Sequence, residues 1–402
     1  MTRTLEVRPF GSFADFRNGV NFSASSRCLG DLAVIGVGDF QDNERLIDFT
    51  GLERISRILV GLEDEALLRD GDLLFVRSNG SKKLIGRCMI IKGVRGAVTH
   101  SGFTIRARVT SPEIDPEWIL QYFATGLARR DIMRRGGGTN ISNLSQQILR
   151  DLPIPVPSPE YQQQLLRTSE RFSQTLQLLG SLLKVKHIFK RGIVHQLLSG
   201  QKRFPQFANK WKTVTLGDVL KYTSRRVPKP AGTFLSAGVR SHGKGVFLKE
   251  DFPADGIALE ELFVLRDLDL VVNITFGWEG AIAIVPPKAD GALVSHRFPT
   301  YQFDRTKALP EYFRHLIRTR RFVFDVACAS PGGAGRNRVL DRKEFLEIPV
   351  TLPSPAEQQV IAGLLDGLDR EIELLERLHQ AVALQKRAVL SRLISGEISV
   401  PA

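Results

Sequence analysis

A chain of 402 residues is long enough for two or three domains with cores of their own, and 43% hydrophobic with 25% charged residues excludes disorder on a large scale. Its 56 Lys and Arg against 43 Asp and Glu leave a formal charge of +13, which points to a polyanionic partner, nucleic acid first. The start MTRTLEVRPFGSF has no apolar signal core, and no run of about 18 apolar residues occurs anywhere, so a cytoplasmic location is expected rather than a membrane.

In chain order, residues 1 to about 150 mix short strand-like runs with turns, as in Asp72-Leu73-Leu74-Phe75-Val76-Arg77 followed by Ser78-Asn79-Gly80. Pro116-Glu117-Trp118 then opens a helix that runs into Arg129, Arg130, Arg134 and Arg135, and a Gly-rich loop follows at 136–138. Leu152 to Pro159 (LPIPVPSP) cannot be helical, because alternating prolines withhold amides and restrict the residues before them. It reads as a stiff strap. Ser158 is placed as an N-cap with Pro159 at the first helical position, and a helix of about 40 residues should run to Gly200, a residue suited to the left-handed stop.

The order then repeats. Shifted by 196 residues, IPVPSP at Ile154 falls on VTLPSP at Val350, Gln162-Gln163 on Gln358-Gln359, Lys190-Arg191 on Lys386-Arg387, and LLSG at Leu197 on LISG at Leu393. Upstream, Asp269 to Ile274 answers Asp72 to Arg77, and Pro310-Glu311-Tyr312 answers Pro116-Glu117-Trp118 once the register moves by two, with Arg318, Arg320 and Arg321 after it. The period far exceeds a solenoid repeat, so each copy is a domain plus a helix.

Both helices carry a heptad-like stripe: Leu165, Phe172, Leu176, Leu179, Leu183, Ile193 and Leu197 in the first, and Ile361, Leu365, Leu368, Ile372, Leu375, Val382, Val389 and Leu393 in the second, interrupted by His379 and Lys386. At 1.5 Å per residue each helix is roughly 60 Å long. A stripe that long needs a partner, and the other copy lying antiparallel is the nearest one. The alternative is that each helix covers only its own domain.

Few motifs carry chemistry. Gly238 to Gly245 resembles a phosphate loop but ends in Gly where Ser or Thr must hold magnesium, and Gly36-Val37-Gly38 is a bare GxG. Asp341-Arg342-Lys343 has a nuclease-like spacing but reads as a helix cap. The His residues offer no HxH or HExxH pair, and Cys28, Cys88 and Cys328, odd in number and far apart, read as small buried hydrophobes. His100 and His296 coincide at the 196 shift and are expected to serve a core or turn, with a hydrogen bond to a base or phosphate as the sharper alternative.

The basic loops are the candidate nucleic-acid contacts: Arg77, Ser78, Asn79, Lys82 and Lys83; Arg134, Arg135, Thr139 and Asn140; and in the second copy Arg225, Arg226, Lys229, Arg240, His242, Lys244, Arg336, Asn337 and Arg338. Arg and Asn can address guanine and adenine edges with paired hydrogen bonds, and glycines let backbone approach phosphate. A charged surface loop is usually only solvated, so about half of these are expected to touch DNA.

The twice-used order of variable domain, Gly-rich loop (GGGTNISNL, GGAGRNRVL), IP-rich strap, PSP-x2-QQ helix start and LLSG or LISG helix end resembles the DNA-specificity subunit of type I restriction-modification systems over nearly the whole chain. WKTVTLGDV at Trp211 is similar to the usual start of a target-recognition domain, whereas the first domain has a less recognisable start. The resemblance implies an α+β chain of two similar target-recognition domains, 1–152 and 201–348, each followed by a strap and spacer helix, 153–200 and 349–402, with the two helices antiparallel. It implies a non-catalytic subunit that reads a bipartite DNA target and docks methylation subunits. S-adenosylmethionine, ATP and magnesium would sit on the methylation and endonuclease-translocase subunits. Two other readings stand beside it: a stand-alone nuclease or methyltransferase with an unrecognised active site, and a coiled-coil scaffold whose charge binds RNA.

Overall fold

The structure is a computed structural model that describes residues 5–23, 27–40, 45–46, 48–60, 63–80, 84–135, 143–332 and 338–399. The chain divides into two compact units, 1–180 with 377–402, and 181–376. Each unit therefore combines one mixed α/β domain with the start of one long helix and the end of the other.

In the first unit a five-stranded sheet has the spatial order Ala14–Asn18, Thr104–Val109, Leu73–Val76, Cys88–Ile91, Arg45–Leu46, beside a three-stranded sheet of Glu53–Ile55, Arg27–Ile35 and Val98–His100. In the second a four-stranded sheet runs Leu220–Thr223, Thr300–Phe303, Leu270–Val272, Ile282–Ile284, and a five-stranded one runs Arg226–Pro228, Glu261–Val264, Leu293–Val294, Thr233–Val239, Val246–Pro253. The LLFV and LVV strands are buried at every position, so both of their faces are covered, which is why they read as apolar runs rather than alternating ones. Gly238 to Gly245 forms the turn between two strands of one hairpin, with no helix after it, which removes the phosphate-loop geometry.

The straps are strands. Pro153–Val156 pairs antiparallel with Glu6–Pro9, and Pro349–Leu352 with Lys212–Thr215, in two-stranded ribbons where proline costs few ladder bonds. Their registers settle the start of the first domain. Glu6 lies opposite Val156 as Lys212 lies opposite Leu352, and Phe10 N–H donates to Leu152 O at 2.9 Å as Leu216 N–H donates to Ile348 O at 3.0 Å. LEVRPFGSF at Leu5 is thus the counterpart of WKTVTLGDV, with Phe10 and Phe13 in the core where the second domain places Leu216 and Val219.

The long helices run Pro159–Leu198 and Pro355–Ile394, 40 residues each. The Ser158 hydroxyl accepts from Tyr161 N–H and that of Ser354 from Glu357 N–H, and both helices stop at left-handed glycines, Gly200 (φ 72°) and Gly396 (φ 75°). Every seam residue is buried or half-buried: Leu165, Ile361, Leu365 and Ile372 fully, and Phe172, Leu176, Leu179, Leu183, Leu368 and Leu375 in part. Within the first unit Leu390, Leu393 and Ile394 join the same core as Tyr161, Leu165 and Trp118. Within the second, Leu197 and Leu198 join Ile361, Leu365 and Tyr312. Lys386 reaches Ser173 at 3.0 Å in the first unit, Lys190 with Asp369 forms the equivalent bond in the second, and Lys186 pairs there with Glu371 (2.7 Å), so the pairing is antiparallel in both. These helices cover their own domains and pair with each other at once.

The first Gln of the repeated QQ at the helix start has a physical reason. Gln162 is buried, accepts from Asp115 N–H (2.9 Å) and donates to Glu113 O (2.8 Å) and Pro157 O (3.0 Å). Gln358 accepts from Leu309 N–H (2.8 Å) and donates to Lys307 O (2.8 Å) and Pro353 O (2.9 Å). One amide thus fastens strap, long helix and the entry to the PEW or PEY helix. The residue before it differs: the Tyr161 hydroxyl donates to Leu393 O (2.9 Å), while buried Glu357 is held by Arg203 through two bonds (2.9 and 2.8 Å) and by Trp211 Nε1 (3.3 Å).

Three expectations are corrected. The PEW and PEY helices, Pro116–Ala124 and Pro310–Leu316, do not carry the arginine clusters: Arg129, Arg130, Arg134 and Arg135 lie on a separate helix, Leu127–Arg135, after a break that Gly126 (φ 83°) marks, and Arg320 and Arg321 on Arg320–Cys328, with Arg318 in the break before it. Cys88 is buried, but Cys328 is exposed near the end of its helix; the side chain of Cys28 lies outside those described. His100 and His296 are not equivalent, since Thr104 N–H to Ser101 O (2.9 Å) is repeated as Phe298 N–H to Ser295 O (3.0 Å), which matches His100 with Val294.

Candidate nucleic-acid interface

In the second domain three loops converge. The hairpin turn is closed by Arg240 N–H to Gly245 O (3.0 Å), and His242 and Gly243 donate to Glu279 O (2.8 Å) and Gly280 O (3.0 Å) of the loop that follows Leu270–Val272. The Ser241 hydroxyl adds a bond to Glu279 Oε2 at 2.9 Å. His242 sits at φ 60°, a left-handed position for a residue with a side chain, and those clamps hold it there. Arg318 lies against Gly243, where a Cβ would meet its side chain. Arg297 donates to Thr275 Oγ1 (3.2 Å) in the same loop, and Arg338 lies over the Trp278 ring at 5.7 Å. Arg240 is exposed and rests on Phe247 (5.2 Å), and Lys244, Arg297 and Arg318 are exposed as well.

Arg240, His242, Lys244 and Arg338 therefore meet on one surface. Arg225 does not join them: its guanidinium pairs with Asp269, a carboxylate 4% exposed whose pKa burial raises above the usual carboxylate range despite that partner. It serves the fold, as Arg108 does for buried Asp72 in the first domain (2.7 Å). Arg226 is exposed beside Glu261 (3.5 Å), and Lys229 donates to Ile257 O (3.2 Å); they lie on the strand Arg226–Pro228 and the segment after it, in the sheet beside these loops. Arg336 and Asn337 lie outside the described residues.

In the first domain Arg77 and Ser78 donate backbone N–H to Phe103 O (2.8 and 3.4 Å), and Leu144 N–H to Arg77 O is 2.8 Å. Arg77, Ser78 and Asn79 are half-buried, and Arg134 is exposed, 3.8 Å from Asp131. Lys82, Lys83, Thr139 and Asn140 lie outside the described residues, as does the side chain of Arg135. Sequence reasoning missed Arg297 and left Arg318 unassigned, because an isolated Arg in a turn shows its neighbours only after folding.

The turn at 101–104 is built on a buried histidine. His100 is 1% exposed with Nδ1 2.9 Å from Thr104 Oγ1, and that hydroxyl spends its proton on Ser101 O (2.8 Å), so Nδ1 is the donor. Burial, helped by Arg106 and Arg17, pushes its pKa down to about 3. A folded-state value below the unfolded value, about 6.5, gives stability that is present above that pH and is lost as pH falls through 6.5 toward 3. The first unit should lose about 2 kcal/mol between pH 7 and pH 5 relative to a His100→Val chain, which copies the second domain. Melting of both proteins at the two pH values checks this, and parallel pH dependences would contradict it.

One further polar group joins the long helices to the second domain. His315, 3% exposed, has Nε2 2.9 Å from Asp366, and Asp369 approaches its other nitrogen. Lys190 and Arg314 already neutralise these carboxylates, taking the place a metal would need. Burial lowers the His315 pKa although Asp366 opposes it. In the first unit Gln121 stands in the place of His315 and bonds to Ser169 (2.9 Å), Ser173 stands in the place of Asp369 and bonds to Lys386, and Glu170 stands in the place of Asp366.

No helix among the described residues is long and apolar enough to cross a membrane. Residues 208–384 match the type I restriction modification DNA specificity domain family. The type I restriction enzyme MjaVIII specificity subunit of Methanocaldococcus jannaschii is 20% identical over 85% of this chain and 81% of its own length. The HsdS subunit of Thermoanaerobacter tengcongensis shares the fold with a TM-score of 0.53 at 12% identity, covering 98% of this chain and 97% of that one. A chain of a type I R-M system, solved to explain complex assembly and conformational transition, gives 0.64 at 11% identity, covering 98% of this chain and all of its counterpart (100%).

Proposed function

The chain belongs to the DNA-specificity subunits of type I restriction-modification systems, and from that premise we propose that each domain reads one half of a bipartite DNA target while the paired helices dock methylation subunits. The observation that carries the reading is the duplicated domain with exposed cations in each copy, Arg129, Arg130 and Arg134 in one and Arg240, Lys244, Arg297 and Arg318 in the other. Two different readers on one chain fit a target of two unlike halves.

The helices offer the docking face. Away from the seam, Leu178, Leu378 and Leu384 of the first unit are exposed by 72%, 48% and 67%, and their counterparts 196 residues away in the second, Leu374, Leu182 and Ile188, by 64%, 42% and 60%. Apolar residues repeated at equivalent places and left in water mark surfaces for a partner, and the duplication supplies the face twice. The subunit is non-catalytic; S-adenosylmethionine would be held by the methylation subunits, and ATP and magnesium by endonuclease-translocase subunits.

Exchanging residues 208–348 for those of another specificity subunit should change one half of the methylated motif and leave the other half as it was. A chimera that changes both halves, or neither, in an active complex would overturn the assignment of one reader to one half.

A further inference from the structure

Three matched backbone hydrogen bonds place one residue of each domain at the same point of the basic surface. Arg77 N–H to Phe103 O (2.8 Å) corresponds to Ile274 N–H to Arg297 O (3.0 Å), Leu144 N–H to Arg77 O (2.8 Å) to Leu340 N–H to Ile274 O (2.9 Å), and the turn bond at 101–104 to that at 295–298. The scaffold is the same and the side chains are not. The turn tip is Phe103 in the first domain, 61% exposed, and Arg297, also exposed, in the second. The neighbouring position behind the tip carries the opposite chemistry, Arg77 against Ile274.

Each domain thus sets one cation and one apolar side chain on two adjoining backbone positions, in exchanged order. A phosphate contact would be served by a cation at either place and gives no reason for an exposed phenylalanine. Base edges do differ in this way: guanine offers two acceptors to an arginine fork, and thymine offers a methyl group to an apolar side chain. The first turn is rigid, because His100 and Thr104 lock it from beneath and Gly102 is pressed against Asn21. In the second, Thr275 holds one guanidinium nitrogen of Arg297 and leaves the rest of the fork outward.

We propose that the turn tip is a base-reading position of both domains, with Phe103 meeting the methyl group of a thymine and Arg297 the guanine edge in the major groove. This deepens the proposed function and rests on it. The experiment is methylation of genomic DNA by the full chain co-expressed with methylation subunits, read by sequencing of modified bases for the unaltered chain, Arg297→Gln and Phe103→Arg. Arg297→Gln should lower methylation of sites carrying guanine at one position of one half-motif by about tenfold to a hundredfold, the discrimination of one paired contact, and leave the other half unchanged. Phe103→Arg should relax or replace a thymine in the opposite half. An active variant complex that marks the original motif overturns the inference, as does a loss that is equal for all sequences, since that is what a phosphate contact gives. If the unaltered complex marks no split motif, the proposed function itself fails and this inference fails with it.

Discussion

Gln358→Leu should destabilise the second unit by about 4 kcal/mol, and Gln162→Leu the first by a similar amount. Either change strands one buried N–H and two carbonyls, Leu309 N–H with Lys307 O and Pro353 O in one case, Asp115 N–H with Glu113 O and Pro157 O in the other. A buried polar group without a partner costs roughly 1–3 kcal/mol, so three together exceed what the added apolar side chain returns. Gln358→Glu is the informative companion, because it keeps the volume but turns an acceptor toward two carbonyl oxygens that the Gln358 amide donates to. Denaturant unfolding with a probe in each unit reads the result. Wild-type stability in Gln358→Glu would show that shape and not hydrogen bonding maintains the junction.

Affinity for a cognate duplex should fall about 10³-fold between 50 and 200 mM monovalent salt. Roughly six phosphates neutralised at about 0.9 counterions each give that slope on B-form DNA. The exposed cations Arg240, Lys244, Arg318 and Arg320 of the second domain and Arg129, Arg130 and Arg134 of the first suffice for six. Replacing Arg318 with Gln should reduce the logarithmic slope by about one without altering sequence preference. A salt-independent affinity would remove the electrostatic part of the account, and a changed preference would make Arg318 a reader of bases rather than of backbone.

The long helices were legible because their signals are local. A serine before proline caps the start, a glycine in the left-handed region stops the end, and the seam recurs every three or four residues; none of these depends on distant pairing. The β domains were legible only in part. Which strand of the first domain answers WKTVTLGDV follows from the pairing of Glu6–Pro9 with a strap about 150 residues later, and the short match of Phe10-Gly11 to Leu216-Gly217 is visible only once that pairing is known. The His100 and His296 match failed for the same reason: a shift of two residues in strand register moves a buried ring to an exposed turn.

Among the candidate contacts, residue type alone could not tell a surface arginine from one that neutralises a buried carboxylate. Arg225 and Arg240 read alike in the sequence, and Asp269 takes the first while the hairpin turn sets out the second. Cys328 escaped its expected burial because it lies at the last position of its helix, where the buried stripe of Phe322 and Val326 has already turned away.

Sequencing of modified bases in cells that carry this chain with active methylation subunits tests the central claim most directly. Two unlike specific segments at a fixed separation, each altered by changes in only one domain, is the predicted result. A continuous single motif, or methylation without any motif, would contradict it.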